Sequence, residues 1–302
     1  MSFMQLAMLS SEALFVRVVE VGSLKKAAEE LNIEPSTVSR KIAKLEARLN
    51  TKLFHRSTVR TIPTESGLAY YEGLRHLLNA QETLEAELFC NQTQIGGLLR
   101  IATTVDLGDY FIAPILTKML KQHPQLRVEM LTGSNLADLP KYNIDVAIRI
   151  GKPANSDLYA KHLGTIPRVL VSSPAYLANT GVPKDIDDLK HHQFVFYSKE
   201  QTKMPIQFES GYTFEFSLAQ GNVMANSLRS IQQFVLADLG INWGPRWLYE
   251  DAIASGELVE VLPQCPVKGF EINALYTMSQ YLPRKVRWFL EALESELALV
   301  KS

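Results

Sequence analysis

The chain has 302 residues, 46% hydrophobic and 21% charged, with a formal net charge of −1 at pH 7. This length allows about two or three domains, and the near-zero charge argues against a protein that coats nucleic acid with its whole surface. The N-terminal segment lacks the basic and apolar regions of a signal peptide, and no apolar run reaches the ~20 residues of a membrane helix. Two distant cysteines, Cys90 and Cys265, fit a reducing compartment. These features predict a cytoplasmic protein without a membrane partner.

The charge is unevenly distributed along the chain. Residues 1–62 hold ten Lys and Arg against six Asp and Glu, a local charge of +4, which leaves −5 for the remaining 240 residues. Within residues 36–60 there are seven basic side chains and a single acidic one, Glu46. A basic N-terminal module on an acidic body is typical of a separate nucleic-acid-binding domain.

Three short helices are predicted in the first fifty residues, because apolar side chains recur there at helical spacing. The first covers residues 12–21. The second covers residues 24–31, where Ser23 is placed to cap it by accepting a hydrogen bond from a backbone N–H. The third covers residues 35–49 and begins at Pro35, a position where the missing N–H of proline is tolerated.

Beyond the third helix, the segment "TKLFHRSTVRTIPT" alternates apolar and basic residues around a turn, which predicts a two-stranded wing. A long helix is then predicted from Thr64 to Asn91. Five residues of this helix recur near heptad spacing: Leu74, Leu77, Gln81, Leu84 and Leu88. This stripe predicts that the helix pairs with a second copy of itself, although packing on its own body is the alternative.

After a hinge-like linker at residues 92–97, strand and helix patterns alternate to the end of the chain. Strands are predicted in "LLRIATTV", "LRVEMLTG", "YNIDVAIRIG", "PRVLVSS", "QFVFYS" and "INWGP". Helices are predicted in "FIAPILTKMLKQHP", "SLRSIQQFVLADLG", "PRWLYEDAIASG" and "RKVRWFLEALESELALV". The alternation predicts a parallel α/β fold, in which ligand clefts lie at the carboxyl ends of strands.

The first sixty residues resemble the winged helix-turn-helix domain of the LysR-type transcriptional regulators. The resemblance is carried by "VEVGSLKKAAEELNIEPSTVSRKIAKLEARLNTKLFHR" and by the wing "VRTIPTESG". It extends over the whole chain through "LLRIATTVDLGDYFIAPIL", "HPQLRVEM", "IDVAIRIG", "LVSSPAYL", "VLADLGINWGPRWL" and "LPRKVRWFLEAL". One departure is the proline at the start of the third helix, which comes one position earlier than is usual in the family.

The resemblance implies a winged helix-turn-helix domain at residues 1–63, a dimerising linker helix at 64–92 and a regulatory domain at 93–302. The regulatory domain is expected to have a two-lobed α/β fold like that of periplasmic binding proteins. One lobe comprises about 97–164 plus 267–302 and the other about 165–266. The implied partners are double-stranded DNA carrying an interrupted inverted repeat, a small organic and anionic effector, further copies of the chain in a dimer of dimers, and RNA polymerase.

The residues expected to bind DNA lie near the starts of the second and third helices, along the third helix and on the wing. They are Ser23, Pro35, Ser36, Thr37, Ser39, Arg40, Lys44, Arg56 and Arg60. Short polar side chains at the start of a helix reach base edges in the major groove, while Arg and Lys grip phosphates. Arg48 and Lys41 are interpreted as a solvated helix face.

The residues expected to bind the effector follow predicted strands or begin helices, where backbone N–H groups favour a carboxylate. They are Thr103, Thr104, Thr132, Ser134, Asn135, Arg149, Tyr197, Asn226 and Ser227. For each hydroxyl or amide, plain helix capping is the alternative, and for Arg149 the alternative is a surface salt bridge.

Two other classes of protein share a two-lobed fold: solute-binding proteins and enzymes such as a porphyrin-pathway deaminase. The basic N-terminal module and the missing signal peptide argue against the first. The enzyme would need a reactive cysteine and arginine-rich loops, which the sequence lacks. His191 and His192 beside Asp187 and Asp188 make a poor metal site, and Cys265 shows no partner for redox chemistry. No catalytic residue, cofactor or metal is therefore predicted.

Overall fold

The computed structural model describes residues 10–55, 61–89, 95–133, 139, 142–151, 158–198, 201–217, 220, 221, 223–277 and 282–300. Its helices are α1 Ser11–Val21, α2 Leu24–Glu30, α3 Pro35–Leu49, α4 Glu65–Phe89, α5 Val105–Leu107, α6 Ala113–Gln122, α7 Pro174–Thr180, α8 Leu228–Leu236, α9 Arg246–Ser255 and α10 Arg284–Leu299. A π-helical turn, Gly108–Ile112, joins α5 to α6, and 3-10 turns occur at Asp187–His191 and Gln201–Lys203.

The strands are β1 Gly97–Thr103, β2 Leu126–Thr132, β3 Val146–Ile150, β4 Tyr159–Ser172, β5 Val195–Phe196, β6 Ile206–Gln207, β7 Thr213–Phe214, β8 Val223–Met224, β9 Asn242–Pro245, β10 Val259–Glu260 and β11 Val267–Tyr276. The chain divides into two compact units. One comprises Met1–Arg100, Gln122–Glu129 and Ala137–Asp145, and the other comprises Ile101–Lys121, Met130–Leu136 and Val146–Ser302.

The N-terminal helices α1 to α4 share one hydrophobic core. Ala27 and Ala28 of α2 are fully buried, because only small side chains allow α1 and α3 to approach this closely. The Phe15 ring of α1 lies 5.3 Å from that of Phe54 and 5.6 Å from that of Tyr70, measured between ring centroids. The core thus joins the helices to the beginning of the wing and to α4.

The predicted ends of these helices are confirmed to within about two residues. The Ser23 hydroxyl accepts a hydrogen bond from the N–H of Lys26 at 3.4 Å, and Pro35 is the first residue of α3. Gly22 and Asn50 end α1 and α3 in the left-handed conformation, which closes the last helical turn. Of the predicted wing, the structure describes an antiparallel bridge between Phe54 and Pro63.

The C-terminal part of the chain is built on a seven-stranded sheet with the order β10-β4-β11-β3-β1-β2, in which β9 also pairs with β4. Strands β1 and β3 are parallel, whereas β11 pairs antiparallel with both β3 and β4. Strand β4 pairs antiparallel with β9 and β10 as well. Two small sheets, β5 with β8 and β6 with β7, complete the strand pairing described.

The predicted α/β class is confirmed, but the prediction of a parallel sheet is wrong, since the sheet is mixed. The sequence pattern missed β11 and recognised only the second half of β4. The first four residues of β4, 159–162, are exposed, so this part lacks the apolar run that marks a buried strand. Both long strands carry much of the antiparallel pairing. Among the described residues, no helix is long and apolar enough to cross a membrane.

Candidate functional site

Helix α3 presents a polar, basic face to solvent. Ser36, Ser39, Arg40 and Lys44 are exposed, and Thr37 is partly exposed beside them. The Arg40 side chain folds along the helix, where its Nε donates to the backbone oxygen of Ser36 at 3.3 Å and its Nη2 lies 3.5 Å from the Thr37 hydroxyl. These contacts place three of the predicted DNA-binding residues on one surface.

The opposite side of α3 anchors this surface. Val38, Ile42 and Leu45 are buried in the N-terminal core, so the polar face cannot turn inward. Arg48, interpreted from the sequence as a solvated side chain, forms an ion pair with Glu12 of α1. The charge of Arg48 is therefore paired within the N-terminal unit.

Glu46 fixes the chain that leads into the wing, a role that sequence reasoning missed. Its Oε1 accepts hydrogen bonds from the N–H groups of Leu53 at 2.9 Å and Phe54 at 3.3 Å, and its Oε2 lies 2.6 Å from Lys52 Nζ. Burial of the carboxylate raises its pKa, but the hydrogen bonds from Lys52, Leu53 and Phe54 together outweigh that effect and lower it. The available signal was a lone acid in a basic segment.

The start of α4 closes the base of the wing. The Thr64 hydroxyl accepts from Gly67 N–H at 2.9 Å and donates to Lys52 O at 2.7 Å. A Cβ atom on Gly67 would lie 2.1 Å from Leu53 O, so this close approach requires glycine. The predicted DNA-binding residues Arg56 and Arg60 lie outside the described residues.

A cavity of about 390 Å³ lies in the second compact unit. This volume falls within the range of small-molecule sites in proteins. Its lining is mostly apolar, with a few polar side chains. The residues that line it are Thr104, Asp106, Leu107, Ile150, Gly151, Ile166, Arg168, Tyr197, Ser198, Gln201, Met204, Pro205, Leu228, Asn242, Trp243, Gly244, Pro245, Trp247 and Phe270. Residues after β1, on β4 and at the first position of α8 thus meet at one site.

Some of the predicted effector-binding residues line the cavity and others lie elsewhere. Thr104 and Tyr197 line the cavity. Thr103 is fully buried, and Thr132 ends β2. Ser227 caps α8 by accepting from Ser230 N–H at 3.4 Å, next to an exposed Asn226.

Arg149 lies on β3, where its Nη1 donates to the neighbouring Ile148 oxygen at 3.2 Å. Burial lowers the pKa of Arg149. Ser134 and Asn135 lie outside the described residues, so their predicted contact with an effector stays a prediction.

The N-terminus of α8 faces the carboxylate of Asp106. This carboxylate accepts a hydrogen bond from the N–H of Leu228, the first residue of α8, and lies 3.3 Å from the Tyr197 hydroxyl. Burial raises the pKa of Asp106 despite these two hydrogen bonds. Burial, together with the nearby Asp106 charge, raises the pKa of Tyr197 to about 12, so the phenol stays protonated and acts as the donor.

Arg168 is the cavity residue that sequence reasoning missed. It lies on β4 opposite Pro245 of β9, and its Nη2 donates to Trp243 O at 3.1 Å. Its guanidinium carbon lies 4.2 Å from the centroid of the Phe270 ring. A signal was present, because a charged residue inside the apolar run "TIPRVLVS" is costly to bury unless its charge is paired or hydrogen-bonded.

The remaining titratable candidates in the described part of the chain form no metal or redox site. Among the described residues, no three His, Cys, Asp or Glu side chains lie close enough together to hold a metal ion. Cys265 is partly buried against a hydrophobic cluster that includes Phe208 and Val267. The α3 face and the cavity are therefore the two candidate sites in the described part of the chain.

Two family profiles match the chain. The profile described as a bacterial regulatory helix-turn-helix protein of the lysR family matches residues 10–68, and the LysR substrate binding domain matches residues 92–298. The HTH-type transcriptional activator AaeR of Escherichia coli is 32% identical over 283 residues, which cover 93% of this chain and 91% of AaeR. PtxR, a transcriptional regulator of Pseudomonas aeruginosa, is 30% identical over 94% of this chain and 91% of its own.

Solved structures of full-length regulators resemble the chain as well. CrgA, a LysR-type transcriptional regulator from Neisseria meningitidis, superposes with a TM-score of 0.59 and 27% identity over 95% of this chain and 98% of CrgA. The Vibrio cholerae virulence activator AphB gives a TM-score of 0.58 and 26% identity over the same shares of the two chains.

Proposed function

The chain belongs to the LysR family of DNA-binding transcriptional regulators, whose members are not enzymes, and we propose that a small organic molecule bound in the cavity controls it. The observation that carries this proposal is the composition of the cavity wall. Thr104, Asp106 and Phe270 come from one predicted lobe, and Arg168, Tyr197 and Trp243 come from the other. A ligand that contacts both lobes favours one lobe arrangement over another.

Control of transcription then follows from differential affinity. A ligand shifts a conformational equilibrium only as far as it binds one state more tightly than the other. The predicted boundaries at residues 63, 92 and 93 supply three parts: a DNA-binding module, a dimerising helix and a regulatory domain. We propose a dimer of dimers in the cytoplasm that binds an interrupted inverted repeat and acts on RNA polymerase.

Helix α4 is the proposed dimerisation element, with a change to the predicted stripe. Leu74 is only 7% exposed and packs in the N-terminal core, whereas Leu77 is 69% exposed. Of these two leucines, Leu77 is therefore the one whose side chain is exposed for contact with a second copy. Light scattering of the Leu77→Glu variant should show a smaller assembly than the parent, and a parent that is monomeric at micromolar concentration would refute the proposal.

The DNA-binding face is tested with two arginines on α3. Arg40 lies on the exposed polar face, whereas Arg48 is paired with Glu12. Gel shifts with the DNA upstream of the chain's own gene should show that Arg40→Ala weakens specific binding by about tenfold or more, as expected for a base contact worth about 1–3 kcal/mol. Arg48→Ala, the matched control, should bind nearly as the parent does.

The wing arginine is expected to behave differently. Arg60→Ala should weaken binding to all DNA sequences alike and reduce the salt slope by about one unit, because a phosphate contact carries no sequence information. If Arg60→Ala changed sequence preference while non-specific binding stayed intact, the division of roles between α3 and the wing would be wrong.

The effector site is tested by ligand screening with thermal shift on the full chain. A ligand that stabilises the parent should lose its effect in Thr104→Val, because Thr104 lines the cavity and its hydroxyl is buried. Asn226→Ala tests the predicted helix-end contact in the same screen. Ligands that bind both variants as tightly as the parent would remove the cavity from the proposal.

A further inference from the structure

Three buried polar atoms around the cavity have no hydrogen-bond partner among the described residues: Thr104 Oγ1, Arg168 Nε and Trp247 Nε1. Buried polar groups are nearly always paired, and leaving one unpaired costs about 1–3 kcal/mol. The groups of Arg168 and Trp247 only donate hydrogen bonds. The chemistry that complements this wall is therefore an acceptor, and an anionic one beside Arg168.

Arg168 is held rigidly for such a role. Its Nη2 is fixed by the backbone oxygen of Trp243, and its guanidinium group stacks on the ring of Phe270. In the described part of the chain no acidic side chain pairs with it. Burial lowers the pKa of Arg168 to about 9, so the group is still charged at neutral pH. A buried cation without a counter-charge is unfavourable, and a bound anion offsets that cost.

The other position for an anion is the N-terminus of α8, which the sequence favoured. There the carboxylate of Asp106 already accepts the N–H of Leu228 and faces the Tyr197 hydroxyl. The partial positive charge of the helix end is thus used within the chain. A second carboxylate at that end would face Asp106 and be repelled.

Most of the rest of the wall is apolar and contains flat rings. Leu107, Ile166, Trp243 and Phe270 all line the cavity. Building on the proposed effector function, we propose that the ligand is an organic monocarboxylate with a flat apolar body. Its carboxylate binds Arg168, its body packs among Leu107, Ile166 and Trp243, and the carboxylate of Asp106 disfavours a second negative charge.

The proposal is tested by calorimetric titration of the full chain at pH 7 with matched probes. These are 2-naphthoate and benzoate, their neutral amides, and the dianion terephthalate. The acids should bind about 10- to 100-fold more tightly than the amides, which is the range for a hydrogen bond to a charged group. Terephthalate should bind more weakly than benzoate.

Two variants locate the effect. Arg168→Gln should reduce the acid-to-amide ratio to about one, because uncharged glutamine no longer distinguishes a carboxylate from an amide by charge. Arg287→Gln on α10 makes the same change of charge at an exposed position away from the cavity wall, and its ratio should equal that of the parent. A cooperative thermal unfolding transition and an unchanged circular-dichroism spectrum show that Arg168→Gln is folded.

Three results would overturn the assignment. They are amides that bind the parent as tightly as the acids, an acid-to-amide ratio that survives in Arg168→Gln, and the failure of both acids to bind at millimolar concentration. The failure of the monocarboxylate proposal can be distinguished from the failure of the effector proposal. A neutral ligand that requires Thr104 but not Arg168 would keep the effector proposal and remove the monocarboxylate.

Discussion

The α3 face and the cavity both use cations, but in opposite ways. Arg40 and Lys44 are exposed on a helix and carry their charge in water, whereas Arg168 is fixed between strands and aromatic rings. DNA offers a long row of phosphates and base edges, so exposed side chains can find partners in many positions. A small ligand offers one anionic group, which a single prearranged donor must recognise. Under the proposed function, exposed cations suit a long polyanion, whereas a buried cation suits a single anionic group.

The two regions also differ in how completely their buried polar groups are paired. In the N-terminal unit, buried Glu46 uses both oxygens on Lys52, Leu53 and Phe54. Around the cavity, donors of Arg168 and Trp247 have no acceptor among the described residues. The first arrangement stabilises a fixed DNA-binding shape. Under the proposed function, the second leaves hydrogen-bonding capacity for a ligand.

The variant with the largest expected effect should disrupt the DNA-binding region and leave the cavity unchanged. Gly67→Ala places a Cβ where Leu53 O lies 2.1 Å away, so the backbone at the base of the wing must shift. Overpacking of this kind costs about 1–3 kcal/mol or more. DNA binding in gel shifts should fall strongly, while binding of 2-naphthoate measured by calorimetry should stay at the parental value.

Gly73→Ala is the matched control in the same helix. A Cβ at Gly73 meets nothing within 4 Å, and alanine favours a helix over glycine by about 1 kcal/mol. Chemical denaturation should therefore show equal or greater stability for Gly73→Ala than for the parent. If the two variants bound DNA equally tightly and were equally stable to denaturant, the contact between Gly67 and Leu53 would not matter.

The next effect concerns the charge on Glu46. Glu46→Gln removes the ion pair with Lys52 and weakens the hydrogen bonds to the wing, so the free energy of unfolding at pH 7 should fall by about 1–3 kcal/mol. Because the folded pKa of Glu46 is lowered, its contribution is present above the usual value of 4.5 and is lost as the pH falls through the folded pKa.

Denaturation of the parent and the variant at several pH values measures this difference, which should shrink below about pH 4.5. Glu29→Gln is the control, since its pair with Lys25 is exposed and its N–O distance is 3.9 Å. A difference between parent and Glu46→Gln that grew in acid would contradict the assigned role.

The structure of the DNA-binding part was largely predictable, because local rules determine it. Capping at Ser23, a proline at the first position of α3 and the helical spacing of Val38, Ile42 and Leu45 all act within a few residues. These signals predicted the helices and their exposed face. Glu46 was missed because its partners Leu53 and Phe54 matter only after the chain turns back.

The cavity was predictable only in part, because its wall is assembled from distant strands. Thr104 was found from its place after β1, since strand ends in α/β folds tend to line clefts. The strand β11, which brings Phe270 to Arg168, lacks a continuous buried run and was not recognised. Nor does spacing along the chain show that Asp106 meets the N-terminus of α8, more than a hundred residues later.

The smallest expected effect tests that last contact. Asp106→Asn keeps an acceptor for the Leu228 N–H and the Tyr197 hydroxyl but removes the charge. Burial raises the folded pKa of Asp106, so the folded state holds the proton more tightly than the unfolded state does. The resulting stability is fully present below the usual value of 3.8 and is lost as the pH rises through the folded pKa.

Asp106→Asn should therefore match the parent near pH 4 and exceed its Tm at pH 7 by roughly 1–3 °C, as measured by scanning calorimetry. Asp251→Asn, the same change at an exposed position on α9, should show no such trend. The variant should also bind terephthalate more tightly than the parent does, because the repulsion from Asp106 is gone. A parent that is more stable than Asp106→Asn at pH 7 would mean that the ionised carboxylate is needed at the N-terminus of α8. The cavity would then resemble the α3 region, with its charges paired within the chain.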